Sequence, residues 1–185
     1  MKKTLLLAFS ALCLTLCSCN DAEDLYAHTA ARFNYHLVAT TPPLLNALTG
    51  TGQFCTITYN PSSSSSFVYT FTGMTGGSYT SPAQSVTING QPESISGFIV
   101  GTPSFVNLSG QLAPVAFDRV CPNCYENDFI QRPVAFSDQT GHAQCSRCQR
   151  VYDLNNGGIV SSGSAGKKLY RYHISASTTS VSVYN

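Results

Sequence analysis

The sequence predicts an all-β domain, and three observations carry that expectation. Apolar and polar residues alternate with period two in Arg32-Phe33-Asn34-Tyr35-His36-Leu37-Val38 and again in Phe54-Cys55-Thr56-Ile57-Thr58-Tyr59. No window beyond the N-terminal segment keeps a 3.6-residue apolar period. Charged residues make up only 10% of the chain, while Ser, Thr, Gly, Tyr and Val are abundant, a composition that suits strands and tight turns.

The elements follow in order from local pattern. Between the first two strands, Pro42-Pro43 opens a stretch with Leu44, Leu45, Ala47 and Leu48 that reads as one short helical turn. Asn60-Pro61 and Ser62 to Ser66 form a loop by composition, and Gly73, Gly76 and Gly77 interrupt the apolar stretch after it, so a hairpin with an irregular tip is expected. Ser85-Val86-Thr87-Ile88 runs into Asn89-Gly90, the strongest short signal for a type I′ hairpin turn, with Pro92 limiting the returning strand. Phe98-Ile99-Val100 and Val115-Ala116-Phe117 are further strands, the second leading into Cys121. Val151-Tyr152-Asp153-Leu154, a turn at Asn155 to Gly158, and strands over Leu169 to Ile174 and Val181 to Tyr184 complete the reading.

The N-terminus addresses the chain outside the cytoplasm. Lys2 and Lys3 precede an apolar run from Leu5 to about Leu16, too short and wrongly flanked for a spanning helix, which makes residues 1–18 an export signal. The run ends in Leu16-Cys17-Ser18-Cys19, which resembles a bacterial lipoprotein box with Cys19 as the acylated residue. Acyl chains there hold a protein on a membrane by about 0.8 kcal/mol per buried methylene. Residues 19–30, beginning Cys19-Asn20-Asp21-Ala22-Glu23-Asp24, then read as an acidic tether, and 31–185 as one domain. Such a tether implies the outer membrane or cell surface of a Gram-negative bacterium. Without Lys2 and Lys3, eight basic residues face nine acidic ones, so no basic field remains to bind nucleic acid.

Two of the eight cysteines, Cys13 and Cys17, fall in the export signal, Cys19 is the acylation candidate, and Cys55 reads as a buried small hydrophobe. The other four make two C-x2-C pairs, Cys121/Cys124 and Cys145/Cys148, separated by a polar segment read as a long loop. Two such turns supply the four thiolates of a tetrahedral metal site. Outside the cytoplasm the same cysteines could instead form disulfides across the loop, or a redox dithiol. A redox dithiol normally sits at a helix N-terminus, and neither pair precedes a helical pattern. Arg119, Arg132, Arg147 and Arg150 flank the pairs and could offset thiolate charge. His142 is the only other nearby candidate ligand, and reads as an exposed loop histidine. His28, His36 and His173 are scattered, and no hydrolytic constellation can be assembled, so no enzyme is expected.

The stretch from Gly97 to Tyr184 resembles the Rieske-type iron–sulfur domain. Val115-Ala116-Phe117-Asp118-Arg119-Val120-Cys121-Pro122 looks like that family's strand and first ligand box, and Cys145 to Asp153 like its second. A Gly-rich turn at Gly157 to Gly163, the Leu169-Tyr170-Arg171-Tyr172 strand and the closing Val181-Ser182-Val183 follow in the family's order. The resemblance implies a Rieske-like antiparallel β-barrel or sandwich, with a zinc-ribbon or rubredoxin-like metal subdomain over about 118–153. The chain departs from the family at the metal: both expected histidines are cysteines, Cys124 and Cys148, and the first box is one residue longer. Two imidazoles put a Rieske centre at about −150 to +300 mV, whereas all-thiolate two-iron clusters lie near about −400 mV. The expectation is therefore a membrane-anchored protein with a structural zinc on Cys121, Cys124, Cys145 and Cys148. An electron carrier with a [2Fe-2S] cluster or a single iron there, and a disulfide-stabilised surface module, remain the alternatives.

Overall fold

A computed structural model of the chain describes residues 25–107 and 110–185. The export signal, Cys19 and the first part of the tether lie outside the described residues. Among those residues, no helix is long and apolar enough to cross a membrane.

Among the described residues, thirteen strands form two antiparallel sheets. In chain order they are β1 (Arg32–Tyr35), β2 (Gln53–Ser63), β3 (Ser66–Gly73), β4 (Ser78–Thr80), β5 (Gln84–Ser85), β6 (Phe98–Thr102), β7 (Val115–Asp118), β8 (Val134–Phe136), β9 (His142–Cys145), β10 (Val151–Asp153), β11 (Ile159–Ser162), β12 (Arg171–Ala176) and β13 (Val181–Tyr184). Among the described residues, three short α-helices interrupt them, α1 (Pro42–Thr49), α2 (Val86–Asn89) and α3 (Pro122–Asp128), and Val38–Thr40 forms a 3-10 turn. The larger sheet runs β1-β13-β12-β7-β6-β2-β3-β4, with β5 also on β3, and the smaller runs β11-β10-β9-β8.

The larger sheet curls, because residues far apart in its order meet across the core. Phe33 of β1 lies 5.1 Å from Tyr69 of β3, edge to face, and Tyr35 lies 4.8 Å from Phe71. Such aromatic pairs add about 0.5–1.5 kcal/mol each beyond the area they bury. The central strands β2, β6 and β7 are covered on both faces. Cys55, Ile57, Phe98, Val100 and Ala116 point into the curl. Phe54, Ile99, Val115 and Phe117 point the other way, into a second core shared with Val134, Ala143, Tyr152 and Leu154 of the smaller sheet. Strict alternation thus serves two cores, which is why β6 reads as a continuous buried run. Cys55 is buried and unpaired, as its place in an apolar strand face requires.

Four local expectations change. The stretch from Asn60 to Ser66, read as a loop, is mostly strand, with β2 running on to Ser63 and β3 beginning at Ser66. The helical turn after Pro42-Pro43 is a full two turns, α1, with prolines at its first positions and Leu44 and Ala47 buried. The hairpin at Asn89-Gly90 is absent: Ser85 caps α2 by accepting the Thr87 N–H at 3.2 Å, and Gly90 leaves the helix at φ 74°. With Asn89 buried and Pro92 following, no returning strand pairs there. The segment between the cysteine pairs is not a bare loop either. It carries β8 and β9, paired through Val134 opposite Cys145, because Val134 and Ala143 supply the apolar face that packs on Phe54 and Phe117.

Candidate metal centre

Two structural ends deliver the four cysteines. Cys121 follows β7 and occupies the N-cap position of α3 without a side-chain capping bond, with Pro122 at the first helical position and Cys124 in the first turn. Its N–H donates to the Arg132 carbonyl at 2.7 Å, and its carbonyl accepts from Tyr125 at 3.0 Å. The expectation that neither pair begins a helix is therefore overturned. The helix was hidden because it spans only seven residues, too few to show a 3.6-residue period.

The second pair is a tight turn between β9 and β10. Cys145 ends β9, and its backbone pairs with Arg150 and Gln149 at 3.0 and 2.9 Å. Gln149 takes the left-handed conformation, φ 59°, that glycine ordinarily supplies after such a pair. Its side chain stays useful, donating to the Ser146 carbonyl at 2.6 Å.

All four sulfurs lie within 4.8 Å of one another. Cys121 Sγ is 3.6 Å from Cys148 Sγ, and Cys124 Sγ is 3.7 Å from Cys145 Sγ. A tetrahedral ion with metal–sulfur bonds of about 2.3 Å sets its ligands about 3.8 Å apart, so the cluster is dimensioned for one ion. Cys121, Cys124 and Cys145 are buried and Cys148 is half-buried.

The surroundings differentiate the thiols. Burial pushes Cys121 and Cys124 up, toward the protonated form. Burial acts the same way on Cys148, but the backbone N–H and guanidinium of Arg150, with the neighbouring Cys121 and Cys145 thiols, bring it down to about 6. A bound cation would offset the burial that holds Cys121 and Cys124 in the protonated form.

Tyr152 supplies the most specific contact. It is fully buried, and its hydroxyl lies 3.1 Å from Cys121 Sγ. Asn123 Nδ2 donates to that hydroxyl at 3.0 Å, which leaves the hydroxyl hydrogen for the sulfur. Asn123 also clamps the backbone of Lys167, donating to its carbonyl and accepting from its N–H, both at 3.0 Å. Arg150 holds the same loop through the carbonyls of Ser164 and Ala165 at 2.9 and 3.3 Å. The loop before β12 is thereby latched to the cysteine cluster.

Of the four flanking arginines, only Arg150 acts on a sulfur. Arg147 pairs with Asp128 at 3.0 Å, and Arg119 donates to the Val134 carbonyl at 3.3 Å. The Arg132 carbonyl serves Cys121, as above. His142 lies on β9, not in a loop, and turns to Asp138 at 2.8 Å, outside the sulfur cluster. Below the site, fully buried Asp118 accepts from Ile95, Ser96 and Val120 N–H groups and from Tyr172, at 2.7 to 3.2 Å, and so ties β7 to the chain entering β6.

No family model matches the chain, and no curated protein does. The chemistry therefore rests on the site itself: four cysteines able to hold a metal ion in a β-rich domain. Asn123 and Arg150 gain their roles from partners reached only through the fold, Asn123 from a segment 44 residues on. For Tyr152 the sole sequence signal was its place in the second box of the Rieske resemblance.

Proposed function

We propose that the protein is a lipid-anchored, Rieske-like β domain that binds one structural zinc ion through Cys121, Cys124, Cys145 and Cys148. The observation that supports this reading best is the sulfur spacing, 3.6 and 3.7 Å on two edges and no more than 4.8 Å on any, which suits a single tetrahedral ion. A closed set of four thiolates leaves no position for a substrate, the mark of a structural site. Zinc would link the start of α3 to the β9–β10 turn, and binding free energies of about 10–16 kcal/mol in zinc-finger peptides set the scale of that constraint. Anchoring rests on Leu16-Cys17-Ser18-Cys19, and the acidic stretch Asn20 to Asp24 supports the outer membrane or cell surface of a Gram-negative cell as the domain's location.

A second reading is an electron carrier with one iron at the same residues. It is favoured by the Tyr152 hydroxyl on Cys121 Sγ, since hydrogen bonds to sulfur tune iron–thiolate potentials. A third has Cys121–Cys148 and Cys124–Cys145 as disulfides. Thiol counting in denaturant with chelator and no reductant separates it. Four titratable thiols beyond Cys55 support the metal readings, and none beyond Cys55 would overturn them.

A further inference from the structure

Phe129 is 85% exposed, the most exposed large apolar side chain among the described residues. It ends α3 in the left-handed region, at φ 56°, where glycine or asparagine is the usual occupant. Its N–H and that of Ile130 both return to the Cys124 carbonyl, so a member of the cysteine cluster fixes the corner. An aromatic ring is thus held out in solvent on a backbone that favours glycine, and packing within the chain does not account for it.

The chain leading from Cys19 enters the domain at the same end. Leu25, itself 54% exposed, shares a groove with Glu126 in the last turn of α3, three residues before Phe129. Cys19 lies six residues before Leu25, a span of at most about 22 Å at full extension. Acyl chains on Cys19 would therefore keep a bilayer surface within that distance of Leu25. Both carboxylates of α3 are paired, Asp128 with Arg147 at 3.0 Å and Glu126 with Lys167 and the Tyr170 hydroxyl, so neither stands alone toward a membrane. A rival apolar group, Phe105, Val106 and Leu112, lies on the β6–β7 loop, at the far end of β7 from Cys121.

We infer that the acylated chain rests this end of the domain on the lipid bilayer, with the Phe129 ring in the headgroup region and Leu25 on the same side. The inference rests on the reading of Cys19 as acylated, and is independent of which metal the cysteines hold. One ring adds little affinity by itself. The acyl chains hold the protein to the membrane, and the ring sets which end of the domain faces the lipid.

The chain contains no tryptophan, so a single introduced indole reports its own depth. Phe129→Trp and Phe105→Trp are made separately in the full chain, expressed with its export signal in a Gram-negative host and purified in detergent. Each is reconstituted into phosphatidylethanolamine–phosphatidylglycerol vesicles with or without bromine high on the acyl chains. Bromine should remove at least about half of the emission from position 129, because an indole settles at headgroup level, and should leave position 105 nearly unchanged. Mass spectrometry of the N-terminal peptide establishes acylation in the same samples. Acylation at Cys19 with no quenching at position 129, or with quenching at position 105 as strong, overturns the inference and leaves the anchor standing. A chain that carries no lipid overturns the anchor reading and the inference together.

Discussion

Replacing Tyr152 with Phe removes one oxygen from the centre of the account. That hydroxyl lies 3.1 Å from Cys121 Sγ and accepts from Asn123 Nδ2 at 3.0 Å, in a fully buried position. The ring stays, so the second core keeps its packing and only two hydrogen bonds are lost. A buried donor left unsatisfied costs about 1–3 kcal/mol, and a bond to a charged acceptor contributes about 1.5–3 kcal/mol. The first cost falls on the metal-free and metal-bound forms alike, since Asn123 loses its partner in both. The second falls on the metal-bound form, where Cys121 is a thiolate. Metal affinity should therefore drop about 10- to 100-fold, or about 1.4–2.7 kcal/mol. Competition against a chromophoric chelator reads the affinity, and denaturant unfolding with and without metal reads the two stabilities. An affinity within threefold of the parent, in a variant that folds normally, would refute the role given to the hydroxyl.

Three further expectations follow from the same residues. At Gln149, with φ 59°, Gly should be tolerated within about 0.5 kcal/mol, whereas Val should cost about 1–2 kcal/mol from left-handed strain, measured by denaturant unfolding of the metal-bound chain. Asp118→Asn turns an amide toward backbone donors that now meet oxygen, and should cost about 2–4 kcal/mol in the same assay; a neutral result would show that Asp118 is no lock. In the metal-free chain Cys148, lowered to about 6, should be the thiol alkylated fastest at pH 7. Its thiolate is populated above that value, so its rate should fall steadily as the pH is taken below it, while Cys55, pushed up by burial, reacts last. Mass-spectrometric mapping of iodoacetamide adducts over a pH series checks the order, and equal rates at Cys148 and Cys55 would contradict it.

The strands were legible where alternation ran for several residues, as in Arg32 to Val38 and Phe54 to Tyr59, because each residue's face is set by the period of the pleat. Phe98-Ile99-Val100 was legible as a strand but not as one covered on both faces, since periodicity does not tell a two-sided core from a buried run. Where the reading failed, a local competitor won. Ser85 turned Val86–Asn89 into a capped helical turn in place of a hairpin, and Cys121-Pro122 opened a helix too short to betray itself. The four cysteines were legible because C-x2-C spacing is local, and the structure then brought the two pairs together. Tyr152, Asn123 and Arg150 acquire meaning only from partners brought close by folding. Gln149 shows the converse: the turn imposed a left-handed backbone on a residue that does not advertise it.

Metal content and colour of the chain purified anaerobically test the central claim most directly. The account predicts a colourless protein carrying close to one zinc ion per chain, released together with the appearance of four titratable thiols beyond Cys55. Bound iron with strong visible absorbance, or a metal-free protein without those thiols, would contradict it.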